Sequence, residues 1–134
     1  LAEEGGEEAV AMLAWILLFD GRLLEAVAVA GRVLDRPQAP AQALVWAATA
    51  AVPALGSLGR LSEALAAADR GLAEARAHPQ DLPWGETQLN LVRCQVLLGA
   101  GRLARAWRRS LTAHRSGRGV GRASAAWSPR PRAG

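Results

Sequence analysis

"GRLLEAVAVAGRVL" (residues 21–34) recurs as "GRLSEALAAADRGL" (residues 59–72), with Gly, Arg, Leu, Glu, Ala and a closing Leu at matching offsets. On a helix, the first copy places Leu23, Ala26, Val27, Ala30, Val33 and Leu34 at i, i+3, i+4, i+7, i+10 and i+11, one apolar stripe. Leu61, Ala64, Leu65, Ala68, Gly71 and Leu72 fall at the same six offsets. A third copy opens at Gly101 with Leu103, Ala106 and Trp107, then decays through Ser110, Ala113 and His114. The spacings between Gly21, Gly59 and Gly101 are 38 and 42 residues, a period that marks a helical-hairpin repeat.

An apolar segment precedes each phrase: "EEAVAMLAWILLF", "AQALVWAATAAVPAL" and "ETQLNLVRCQVLLGA". Gly21, Gly59 and Gly101 then read as residues that take left-handed φ at a helix C-terminus and turn the chain. "DRPQAP" and "HPQDLP" separate the units, because their prolines cannot continue a helix. Hairpins are therefore expected over about 7–34, 41–77 and 84–114. Pro53 falls inside the second unit's first helix, where it should kink or shorten it at a cost of about 3 kcal/mol. Ala26, Ala64 and Ala106 are equivalent, as are Ala14, Val52 and Cys94 twelve residues earlier, and small side chains at such positions let two helices approach closely. That is the tetratricopeptide (TPR) design. The repeats here are longer than its usual length, and Ala30, Ala68 and Ser110 stand where a large aromatic is customary. The expected fold is all-α: TPR-like hairpins over residues 1–114 forming a short right-handed α-solenoid, and a disordered Arg/Gly/Pro-rich tail over 115–134.

Composition agrees with a helical reading and excludes several chemistries. The chain has 134 residues, ordinarily one domain, and its apolar excess is Ala and Leu, which lose little side-chain entropy in helices. All sixteen basic residues are Arg; without Lys there is no P-loop lysine, Schiff-base lysine or Ser–Lys pair. The single cysteine excludes an internal disulfide and a multi-Cys zinc site, and suits a reducing cytoplasm. The acidic start "LAEEGGEE" is unlike the basic n-region of a signal peptide, and its lack of Met fits a fragment or processed product. The longest uncharged run, 37–59, is interrupted by Pro and polar residues, so a soluble chain with no membrane partner is expected. Residues 108–134 carry seven Arg and no acid, a basic tail on a mildly acidic body. That tail cannot bury enough apolar surface to offset its ordering entropy.

No catalytic, cofactor-binding or metal-binding residue is expected, and the chain reads as a non-enzyme with no cofactor. Cys94 reads as structural, in the small-residue position of a buried helix, with no neighbour placed to lower its pKa. His78 and His114 sit at the ends of second helices, where positive charge suits the helix dipole, and lack metal-ligand spacing. Glu3, Glu4, Glu7 and Glu8 favour a helix start, while Arg22–Glu25 and Arg60–Glu63 read as surface pairs. Trp15, Trp46 and Trp84 lie on or at the start of first helices. There they read as wedges between hairpins, with a ligand surface as the alternative, since first helices line the concave face of such solenoids. Trp127 with the tail arginines is a weak nucleic-acid signal.

With "LLFDGRLLEAVAVAGRVL" and "ARAHPQDLPWGETQLNLVRCQVLLGAGRLA" in place, residues 1 to about 104 resemble the TPR-like helical region of large ATP-dependent LuxR-type (MalT-like) transcriptional regulators of GC-rich actinobacteria. In that family an N-terminal NTPase precedes the helical repeats and a helix-turn-helix follows them. Neither an ATP-binding loop nor a LuxR-type helix-turn-helix is legible, so no functional residue carries over. The resemblance implies a fragment or truncated copy: a cytoplasmic, non-catalytic scaffold or sensor module. Its concave groove would engage a neighbouring domain, a protein segment or a small effector. A free-standing TPR-like adaptor, and weak nucleic-acid binding by the tail, are the alternatives; self-association is also expected of so short an array. In the third phrase Arg105 replaces Glu25 and Glu63, and the segment after about Ala104 is expected to be degenerate or out of frame.

Overall fold

A computed structural model describes residues 4–115. It contains five α-helices: α1 (Glu4–Phe19), α2 (Leu23–Leu34), α3 (Ala41–Ser57), α4 (Leu61–Ala77) and α5 (Gly85–Arg115). No strand occurs among the described residues. The chain divides into two compact units, Leu1–Ala100 and Gly101–Gly134. That division falls before the boundary at 114 expected from the sequence. Of the expected tail, only Arg115 lies among the described residues.

The doubled phrase folds the same way twice. Gly21 (φ 78°) and Gly59 (φ 77°) take left-handed backbone after α1 and α3. Around Gly21, the Arg22 N–H donates to the Leu17 carbonyl at 2.9 Å and the Gly21 N–H to that of Leu18 at 3.1 Å. Around Gly59, Arg60 donates to Leu55 at 2.9 Å and Gly59 to Gly56 at 3.1 Å. Both pairs are Schellman closures, which satisfy carbonyls that a helix end otherwise leaves open. Arg22 and Arg60 then serve as N-cap residues with nearly equal dihedrals, φ −85°, ψ 68° and φ −92°, ψ 64°. Their guanidinium groups fork onto the carboxylates of Glu25 and Glu63 in the first turn of α2 and α4. The acid also lies where the helix dipole favours negative charge.

α3 is the centre of the first unit, packing on α1, α2 and α4. Most of its side chains are buried, including Leu44, Val45, Val52 and Leu55, with Thr49 a buried polar residue among alanines. Pro53 leaves the Thr49 carbonyl without its intrahelical donor, yet α3 is not shortened and continues to Ser57. The stripes of α2 and α4 bury as the spacing predicts: Ala26, Ala30 and Val33, then Ala64, Ala68, Gly71 and Leu72. Their small residues permit close approach. A methyl group added at Gly71 would lie 2.7 Å from the Cβ of Ala48, and one at Gly56 would lie 2.6 Å from Val96 Cγ2. α5 enters this core through Leu89 and Val92.

The third hairpin is the correction. Gly101, expected to turn the chain, lies inside α5, and positive φ is confined to Gly21 and Gly59 among the described residues. Cys94, expected in a buried position, is exposed, as is Ala106. The cause lies in the stripe: Ser110 and His114 occupy positions that are apolar in the first two copies. A returning helix bearing them would gain too little burial to offset its ordering entropy. Arg102 also meets Arg105 in place of the glutamate that Arg22 and Arg60 grip.

Candidate functional site

From Ala9 to Phe19, α1 is apolar on every side, and α2 and α3 cover only part of it. Ala11, Ala14 and Leu17 face the core. Met12, Trp15, Ile16 and Phe19, at i, i+3, i+4 and i+7, form a second apolar face, and Phe19 is 79% exposed. Across from them stand Trp46 and Thr49 of α3, and Trp84 and Gln88 at the start of α5. Together these eight side chains line an open groove of about 440 Å³ with no charged residue in its wall.

Hydrogen bonds and ring contacts fix this wall. Trp15 Nε1 donates to the Trp46 carbonyl at 3.1 Å, joining α1 to α3. Thr49 Oγ1 donates to the same carbonyl at 2.8 Å. Trp46 and Trp84 meet edge-to-face with centroids 6.0 Å apart and an interplanar angle of 68°. Trp15 and Phe19 lie 5.2 Å apart and tilted by 30°. Both separations are within the range where aromatic pairs attract beyond simple area burial. Trp46 Nε1 is buried and has no hydrogen-bond partner among the described residues, a state that costs about 1–3 kcal/mol in an apolar setting. Gln88 is held at the floor's edge by its own backbone, whose N–H donates to the Trp84 carbonyl at 3.0 Å.

The structure therefore brings Trp15 of α1, Trp46 of α3 and Trp84, just before α5, together as lining of one surface. Such a wall can desolvate an apolar or aromatic group and offer a few polar contacts. It holds no ionisable side chain. Met12, Ile16 and Phe19 were not singled out in the sequence, although an α1 apolar all round signalled a second covered face.

The remaining candidates lie elsewhere. His78 ends α4, with Nε2 3.8 Å from Glu74 and Nδ1 3.9 Å from Asp81, too far for hydrogen bonds. Glu7 pairs with Arg36 at the end of α2, and Arg76 bonds Glu86 at 2.9 Å between α4 and α5. Glu4 opens α1 and Glu8 is exposed on it, while Glu3 and Trp127 lie outside the described residues. His114 lies within α5. Among the described residues no group of His, Cys, Asp and Glu is arranged to hold a metal ion, and no helix is long and apolar enough to cross a membrane. Comparison with protein-family models, with curated proteins and with solved structures finds no match.

Proposed function

We propose that the chain is a non-catalytic recognition module built as a short right-handed α-solenoid of TPR-like hairpins, acting within a LuxR-type transcriptional regulator. The observation that carries the recognition role is the uncharged aromatic groove of Trp15, Phe19, Trp46 and Trp84 on α1, α3 and the start of α5. Exposed aromatic clusters of this kind mark binding surfaces more often than they occur idly on a soluble protein. The TPR-like arrangement is supported by the repeated Schellman turn and by the small buried residues at Ala14 with Ala26 and Val52 with Ala64. In this reading the groove takes an apolar side chain or aromatic group from a neighbouring domain, a protein segment or an effector, and the module passes occupancy on by changing how its hairpins pack.

The groove is tested by titrating the protein with the uncharged dye Nile red. Saturable single-site binding is expected, weakened several-fold by Trp84→Ala and unchanged by Trp127→Ala. Unsaturable binding, or binding indifferent to Trp84, overturns the recognition role. The regulator assignment is tested at the encoding locus. In-frame coding for a phosphate-binding loop upstream and a helix-turn-helix downstream supports it, whereas an isolated gene replaces it with a free-standing adaptor.

A further inference from the structure

We infer that Gly101–Arg115, the C-terminal half of α5, is an interfacial helix that docks in the plane of an anionic lipid bilayer. Leu103, Trp107 and Leu111 recur at i, i+4 and i+8, so they form one line along the helix surface. They are 71%, 66% and 45% exposed. Arg102, Arg105 and Arg109, at i, i+3 and i+7, form a second line, flanked by Arg108, on the half of the helix facing away from the leucines and Trp107, while Arg115 ends the leucine line one turn beyond Leu111. All five arginines are exposed, and none is ion-paired among the described residues. The last acid in the chain is Glu86, so nothing in the sequence beyond it offsets this charge.

The segregation of charge from apolar surface selects the partner. A helix with Trp and Leu on one face and Arg on the other lies at the boundary of headgroups and acyl chains, its arginines held by anionic headgroups. Trp107 suits that boundary because its ring is apolar and its N–H is polar. The arginine stems are long enough to reach outward while their carbons cover apolar surface. Nucleic acid needs the arginines alone and would leave Leu103, Trp107 and Leu111 in water. Pairing with a second copy of the helix would bring two clusters of five like charges together. The helix lies on such a surface and does not span it, in keeping with the absence of a spanning helix among the described residues. Such docking departs from the sequence-based expectation of no membrane partner, which rested on the lack of a spanning segment.

Sedimentation of the full chain with vesicles tests the inference. Binding is expected to vesicles of phosphatidylcholine mixed with phosphatidylglycerol, and at least tenfold less to pure phosphatidylcholine. Two double variants separate the contributions, each checked by circular dichroism for retained helix. Arg105→Ala with Arg109→Ala should weaken anionic-vesicle binding roughly tenfold or more. Leu103→Ser with Leu111→Ser should weaken it comparably, and Trp107→Phe should remove most of the blue shift in tryptophan emission on binding. The inference is overturned if the anionic vesicles do not bind, if neutral vesicles bind equally, or if the leucine variant binds like the parent. The last result, together with tight binding of duplex DNA, would assign the arginines to nucleic acid instead.

Discussion

Two kinds of glycine in this chain do opposite work. Gly21 and Gly59 have left-handed φ, but an added methyl group at either would meet nothing within 4 Å. Their replacement by Ala therefore carries only the backbone cost, about 1–2 kcal/mol each. Gly71 has ordinary helical backbone, yet a methyl there meets the Cβ of Ala48 at 2.7 Å and Leu89 Cδ1 at 2.9 Å. Because Ala48 cannot rotate away, Gly71→Ala is expected to cost about 1–3 kcal/mol through overpacking. Urea unfolding separates the two mechanisms. Asn, which tolerates left-handed φ, should recover stability at 21 and 59 but worsen the loss at 71. Equal behaviour at all three sites would refute the distinction. The Arg60–Glu63 fork gives a second residue-scale expectation. The hydrogen bond from Arg60, aided by its charge, holds the Glu63 carboxyl below its ordinary range. A carboxyl depressed by folding contributes stability that is complete above its unfolded pKa and is lost as pH falls through its folded value. Both partners are exposed, so the contribution is small, and NMR titration is the fitting measurement. Glu63 should titrate below the ordinary carboxylate range, and Arg60→Ala should raise it.

The two faces of α5 before Gly101 differ, but not as the repeat pattern requires. Ala11, Ala14 and Leu17 of α1 and Thr49, Val52 and Leu55 of α3 are buried. Their equivalents Leu91, Cys94 and Leu97 are exposed. Leu89, by contrast, is fully buried against Gly71 and α3. Leu89→Ala is expected to cost about 2–5 kcal/mol, and Leu91→Ala no more than about 0.5 kcal/mol. Cys94 should react with a thiol reagent in the native state as fast as in the unfolded chain; strong native protection would mean that another element covers this face. The first two hairpins were legible because stripe, turn glycine and cap all pointed the same way in each copy. The third was misleading because Gly101, Arg102 and Leu103 keep the turn's spelling while Ser110 and His114 spoil the stripe that would have made folding back worthwhile. A left-handed turn is enforced by what it lets the chain bury, and a glycine alone does not impose it. The groove was half legible. The three tryptophans could be placed on first helices from their spacing, but whether they meet depends on how α1 and α3 pack, which no local pattern encodes.

At the scale of the chain, the described core is confined to the first unit: every fully buried hydrophobic residue lies between Ala11 and Val92. Alanine dominates that core, and each alanine removes little apolar area from water. Stability must then come from close helix approach, which Gly56 and Gly71 permit, more than from the bulk of the buried side chains. Such a unit should keep its fold when the basic helix and tail are deleted. A chain ending at Ala100 is expected to unfold cooperatively with a midpoint within a few degrees of the full chain, because none of the removed residues is buried among those described. Its net charge near neutral pH should also reverse, from +4 to −5. Beyond Ala100 the sequence carries nine of its arginines and no acid, so the truncated chain has twelve acids against seven arginines and a charge of the opposite sign, but smaller excess, than the segment removed. Thermal melts at matched concentration check the first expectation and electrophoretic mobility the second. Lost cooperativity would place part of the core's support beyond Ala100, whereas a retained transition would assign stability to the first unit and leave the basic segment to surface binding.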